Sequence, residues 1–198
     1  MTESPESPES PARSPRMELM LGAATHVVAE HGLKGLTHRA VDRAAGLPEG
    51  SCSAYLRTRK ALVLALTEYV VGHLGDDVER LAGQLATCAL GDDAAIERVT
   101  AFFLRWLDER ELLVSRMELS LEASRDSELA RLLATSRQRL VDLVGSILSA
   151  RGKDHTAARA ETLVASFDGI LLGALARPAR GRQAYVQQSI EVLISGLG

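Results

Sequence analysis

The stretch Leu36-Thr37-His38-Arg39-Ala40-Val41-Asp42-Arg43-Ala44-Ala45-Gly46-Leu47-Pro48-Glu49-Gly50-Ser51-Cys52-Ser53-Ala54-Tyr55-Leu56 decides the fold. Thr37 stands where a short helix through Ala45 needs an N-cap, because its hydroxyl can accept an orphan amide hydrogen bond. Gly46 ends that helix, supplying a backbone conformation that a residue with a Cβ resists. Leu47 follows as an apolar plug that pins the angle to the next helix. Pro48 takes that helix's first position, where a missing N–H costs nothing, and the helix runs to about Leu56. Two short helices around a glycine-centred break form a helix-turn-helix pattern, whose second helix enters the DNA major groove.

Upstream, Met17, Met20, Leu21, Ala24, Val27 and Val28 recur at i, i+3, i+4 spacing, a helical stripe closed by Gly32. Residues 1–15 repeat Ser-Pro-Glu and hold four of the six prolines, a composition that reads as a disordered tail. Downstream, no strand-like alternation is visible, and the pattern predicts an all-α body. Its helices are expected over Arg59–Cys88, from Asp92 or Asp93 as cap through Leu107, and over Glu111–Ala123, Ser127–Ala150, Asp154–Ala176 and Gly181–Leu197. The domains are therefore expected as 1–15 tail, 16–62 N-terminal three-helix helix-turn-helix head, and 63–198 C-terminal helical bundle for ligand binding and dimerisation.

The 198 residues carry a net charge of −3, but the sign is uneven. Residues 12–62 hold eight Lys/Arg against four acids, and the rest of the chain is acidic, so a polyanion is expected at one end only. The longest apolar run, Ala61 to Leu66, falls far short of the roughly 20 residues that cross a bilayer, and no leader opens the chain, so a cytoplasmic protein without membrane contact is expected. Cys52 and Cys88 lack metal or redox spacing and are read as free thiols, Cys52 as a packing group. His26 and His31 read as surface or helix-end residues. No nucleophile–base pair, phosphate-cradling loop or metal-spaced cluster is present, so neither an enzyme nor a cofactor or metal is implied.

Ala23-Ala24, Gly32, Leu36 to Val41, Ala45 to Ser51, Tyr55-Leu56 and Arg59 to Leu62 together resemble the DNA-binding head of TetR-family transcriptional regulators over roughly Met17 to Leu66. The body resembles that family's ligand-sensing and dimerising part more loosely, at Glu118–Glu122 and Phe167–Leu171. The resemblance implies that Thr37 and His38 donate to phosphate and that Arg39 reaches a base or phosphate. It implies that Glu49, Gly50, Ser51 and Ser53 form the leading turn of the recognition helix, and that Tyr55 and Arg59 clamp the DNA backbone. Ser53 stands where the family usually has a tyrosine, so Tyr55 takes over that contact. Asp42 stands where a small residue usually packs, so it is expected to pair with a neighbour such as Arg43 or to lean into solvent.

In the body, Phe102, Phe103 and Trp106 share one helical face and read as bundle core or as a ligand cage. Asp168 interrupts the apolar stretch Val164 to Leu175, and a buried carboxylate needs a partner. A mainly apolar effector is expected among Phe103, Trp106, Met117 and Phe167, with Arg116, Glu118 or Asp168 as its polar contacts. Gly169 and Gly173, at i, i+4, would admit a helix of a second copy, and with Ile190 and Leu193 they define the expected interface. The implied function is a homodimeric, ligand-responsive repressor on a palindromic duplex. The alternative is a helical ligand-binding or adaptor protein whose head does not read DNA specifically.

Overall fold

Ser14 caps the first helix by accepting a hydrogen bond from the Met17 N–H at 3.3 Å, with Pro15 in the first helical position. These two residues, assigned above to the tail, therefore belong to the first helix. The computed structural model describes residues 14–86, 92–153 and 155–197, so the remaining tail, Cys88 and Asp154 lie outside the described residues. Among the described residues all regular structure is helical: α1 (Pro15–Gly35), α2 (His38–Ala44), α3 (Ser51–Tyr55), α4 (Arg59–Ala86), α5 (Asp92–Asp108), α6 (Arg110–Ala123), α7 (Ser127–Ala150), α8 (Ala157–Leu175) and α9 (Ala179–Leu197). The all-α expectation holds. α5 already contains Asp92 and Asp93, and α8 begins after Thr156 rather than at Asp154.

Each early break has a local cause. Gly32 adopts φ 66°, which interrupts α1 where the glycine stop was expected. Gly46 adopts φ 64°, and two bonds close the end of α2 around it: Gly46 N–H to Arg43 O at 3.2 Å and Leu47 N–H to Asp42 O at 2.8 Å. Pro48 is not the first residue of α3. The chain makes another turn, Ser51 N–H to Pro48 O at 3.1 Å, and α3 starts only after Gly50, at φ 94°. Glu49 and Gly50 thus precede the recognition helix instead of opening it.

A continuous apolar core joins head and body. Met20, Leu21, Ala24 and Val28 of α1 are fully buried, as are Leu62, Leu66 and Val70 on one stripe of α4. The expected boundary between residues 62 and 63 therefore falls inside one helix. Its 28 residues span roughly 42 Å at about 1.5 Å per residue. A second connection was not anticipated. α6 lies along α1, and the buried Ser115 hydroxyl donates to Thr25 O at 3.3 Å.

α8 and α9 pack on each other, and this changes the reading of two expected interface residues. A Cβ on Gly173 would collide with the Tyr185 hydroxyl of the same chain, and Gly173 O accepts from Arg177 Nη1 at 2.6 Å. Ile190 is fully buried. Both belong to the protomer's own packing, since the close approach that Gly173 permits is to Tyr185. Gly169 is exposed with open space around its Cα, and Leu193 is half-buried.

Candidate functional site

The exposed edge of the head is built from the start of α2, the turn before α3 and the outer face of α3. Thr37 caps α2 as expected, accepting from the Ala40 N–H at 3.1 Å. Thr37, Arg39, Glu49, Gly50, Ser53 and Tyr55 are exposed along this edge, and Ser51 is half-exposed. Arg39 and Glu49 hold each other: Nε and Nη2 donate to the same carboxylate oxygen at 2.9 and 2.5 Å. Both are about 70% exposed, at 70 and 68%, so the pair is screened and open to exchange for a stronger anion.

Three residues hold the head in shape. His38 joins the start of α2 to the end of α3, its Nε2 lying 2.5 Å from Leu56 O. The Arg59 guanidinium donates to Leu33 O at 2.8 Å and to Leu36 O, tying the end of α1 to the start of α4. Arg59 also lies on the exposed surface. Asp42 departs most from expectation. It neither pairs with Arg43 nor faces solvent but is 2% exposed, accepting from the Gly50 N–H at 2.8 Å and the Cys52 N–H at 2.7 Å. A side chain of α2 thereby caps α3, whose own cap position is a glycine. Beneath it, burial and the Asp42 charge push the fully buried Cys52 thiol up to about 11, so it packs as a neutral group.

Arg16 reaches Ser51 Oγ at 3.2 Å from the first turn of α1. That contact escaped sequence reasoning, because nothing local relates two positions so far apart.

Polar contacts couple this head to the body. Glu118, expected at a ligand, instead accepts the Leu33 N–H at 3.1 Å, a donor freed by the kink at Gly32. His26 Nδ1 meets Glu111 at 2.8 Å, and Lys60 meets Glu128 at 2.7 Å. The hydrogen bond and charge of Glu111 raise the His26 ring above its ordinary value of 6.5. The contact therefore stabilises fully below pH 6.5 and is lost as pH rises through the raised value. In an NMR titration His26 should show a midpoint above 6.5, and Glu111→Gln should return it toward 6.5; a wild-type midpoint at or below 6.5 would remove this contact from the account.

The body encloses a cavity of about 180 Å³. Its wall includes Phe103, Trp106, Phe167, Arg116 and Asp168, so five of the seven expected ligand residues converge there. Met117 and Glu118 do not line it, because they lie on other faces of α6. The Phe103 and Phe167 rings meet edge to face at 5.3 Å. Trp106 donates its indole N–H to Asp77 at 2.8 Å, satisfying its polar end. Asp168 has the partner its position demanded, and in fact two: Arg116 through both oxygens at 2.6 and 3.2 Å, and Arg137 at 2.9 Å. Among the described residues, no His/Cys/Asp/Glu group could hold a metal ion, and no helix is long and apolar enough to cross a membrane.

A helix-turn-helix head built into an all-helical body is the architecture of a transcriptional regulator. Residues 90–196 match the family described as tetracyclin repressor-like, C-terminal domain, and the chain belongs to the TetR family of transcriptional regulators. No curated protein matches the sequence. Among solved structures, a transcriptional regulator from Rhodococcus sp. Rha1 superposes with a TM-score of 0.74 at 21% identity, covering 91% of this chain and 95% of its own. A TetR family member from Streptomyces coelicolor A3 gives 0.68 at 26% identity, over 91% and 98%. The multidrug binding protein EbrR, complexed with imidazole, gives 0.63 at 26% identity, over 91% and 96%.

Proposed function

We propose that this regulator is a homodimeric repressor that grips a palindromic operator with α2 and α3 and is released when a small, mainly apolar molecule enters the body cavity. One observation carries the reading: α6 supplies Arg116 to the cavity wall and, on another face, Glu118 and Ser115 to α1 of the head. A ligand that moves Arg116 moves the helix on which the head rests. A shift in this equilibrium equals the ligand's differential affinity for the two arrangements, and about 1 to 3 kcal/mol of coupling changes operator affinity roughly 5- to 150-fold. That the structural neighbour EbrR is a multidrug binding protein, complexed with imidazole, supports small-molecule binding by this chain.

At the operator, Arg39 leaves Glu49 for a base or phosphate, and Thr37, Ser51, Ser53 and Tyr55 lie beside the backbone. His38 and Arg59 hold the frame, and Arg59 keeps further guanidinium N–H groups for a phosphate. Selecting bound duplexes from a random pool tests the reading. A palindrome with half-site centres about 34 to 36 Å apart, or a multiple of one turn, is expected, with affinity falling steeply as salt rises. Arg39→Ala should relax base choice at one position per half-site, at a cost of about 1 to 3 kcal/mol. No enriched sequence and no salt-dependent binding would favour an adaptor role. Val144→Trp, which fills the cavity from α7, should abolish the ligand response while the variant still dimerises; an unchanged response would place the effector elsewhere.

A further inference from the structure

The cavity wall carries a charged pair, Arg116 of α6 and Asp168 of α8. That carboxylate is shared by two guanidiniums, since Arg116 and Arg137 both donate to it. The three groups are substantially shielded, with side-chain exposures of 18% for Arg116, 33% for Asp168 and 35% for Arg137. Two cations on one anion leave a surplus positive charge at a weakly solvated site, where such a charge is costly until a second anion joins it. Each guanidinium has five N–H donors in a planar fork, and the bonds to Asp168 use only part of them. The fork suits a carboxylate.

The remaining wall is apolar and elongated. Along α7 and its exit the lining runs from Ser136 through Leu140, Val144, Ile147 and Leu148 to Arg151, roughly 22 Å at about 1.5 Å per residue. An apolar wall of that length fits a chain, with the Arg116–Asp168 pair placed to meet its polar end. We infer that the cavity takes an aliphatic monocarboxylate, its carboxylate seated beside Asp168 on Arg116 and its chain lying along α7, while Arg137, which does not line the cavity, supplies the surplus charge through Asp168. Two guanidiniums then face two carboxylates, and the charges balance. This inference rests on the reading that the body binds a small apolar molecule, and it adds the chemical class.

The test uses the full chain and three probes of equal length: dodecanoate, dodecanol and dodecylammonium, each below its micellar concentration, by titration calorimetry and thermal shift. Dodecanoate should bind at least about tenfold more tightly than dodecanol, with dodecylammonium weakest. Arg137→Gln leaves the Arg116–Asp168 pair in place and should erase the advantage of the carboxylate without changing dodecanol affinity. Equal or tighter binding of dodecanol to the wild type overturns the inference while leaving the apolar cavity reading intact. Tightest binding of dodecylammonium overturns it as well, because Asp168 would then be the recognising group. A dodecanoate preference that survives both Arg137→Gln and Arg116→Gln moves the carboxylate away from this pair and overturns the assignment. Absence of binding by all three overturns both the inference and the apolar cavity reading beneath it.

Discussion

Asp42→Ala is expected to lower the thermal midpoint by roughly 5 to 15 °C and to abolish operator-specific binding. The carboxylate is buried and accepts the N–H groups of Gly50 and Cys52, which have no intrahelical partner at the start of α3. Removing it orphans two donors, the Cys52 N–H in a buried site and the Gly50 N–H at an exposed residue. A buried unsatisfied donor costs about 1 to 3 kcal/mol, and loss of a helix cap alone costs about 0.5 to 2 kcal/mol, so a total of about 2 to 4 kcal/mol is reasonable. For a chain of this length each kcal/mol is worth about 2 to 4 °C. The effect on DNA should exceed the effect on folding, because a helix of five residues has little stability of its own and Asp42 sets its start. Asp42→Asn keeps an acceptor for one of the two N–H groups and should fall between wild type and Ala. Circular dichroism melts and binding to a selected duplex, compared with a scrambled one, provide the measurements. A variant with an unchanged midpoint and unchanged discrimination would show that α3 is positioned by packing around Cys52 and Leu47 instead.

The sequence was most legible where structure is made by near neighbours. Thr37, Gly32 and Gly46 announce helix ends through their own backbone chemistry, and each behaves accordingly. α7 was readable from Ser127 to Ala150 because its apolar period is long and no proline interrupts it. Pro48 misled, since a proline that suits the first turn of a helix suits a preceding turn equally well. Asp42 was visible as an acid on an inward face, but its two partners lie across a turn that ends three residues later than a helix starting at Pro48 implies. The cavity was legible in part, through the aromatic face of α5 and the acid interrupting α8. Arg137 gave the same kind of signal on α7, falling on the stripe of Leu133, Leu140 and Val144 as Asp168 falls on that of α8. Glu118 was assigned to the wrong partner because α6 has two polar faces, and only its packing along α1 decides which one meets the head.

On the homodimer proposed above, Val192→Asp is expected to give a monomer while leaving the fold unchanged. Val192 is 74% exposed on α9, where it borders a shallow groove with Ser166 and Ile170 of α8 and Leu193. A twofold interface brings the same patch from both copies together, so one substitution places two carboxylates in a desolvated contact. Because Val192 contributes little to the protomer's core, the melting of the isolated chain should change by no more than about 0.5 kcal/mol. Operator affinity should fall by roughly 10²- to 10⁴-fold, since each head then binds its half-site without the other's effective concentration. Two contrasting variants separate assembly from folding. Gly173→Leu forces a side chain into Tyr185, and Ile190→Ala opens a cavity costing about 2 to 5 kcal/mol, so both should destabilise each protomer before they touch its association. Sedimentation of the three proteins alongside their thermal melts distinguishes these outcomes, and a Val192→Asp variant that still sediments as a dimer would place the twofold contact on another face.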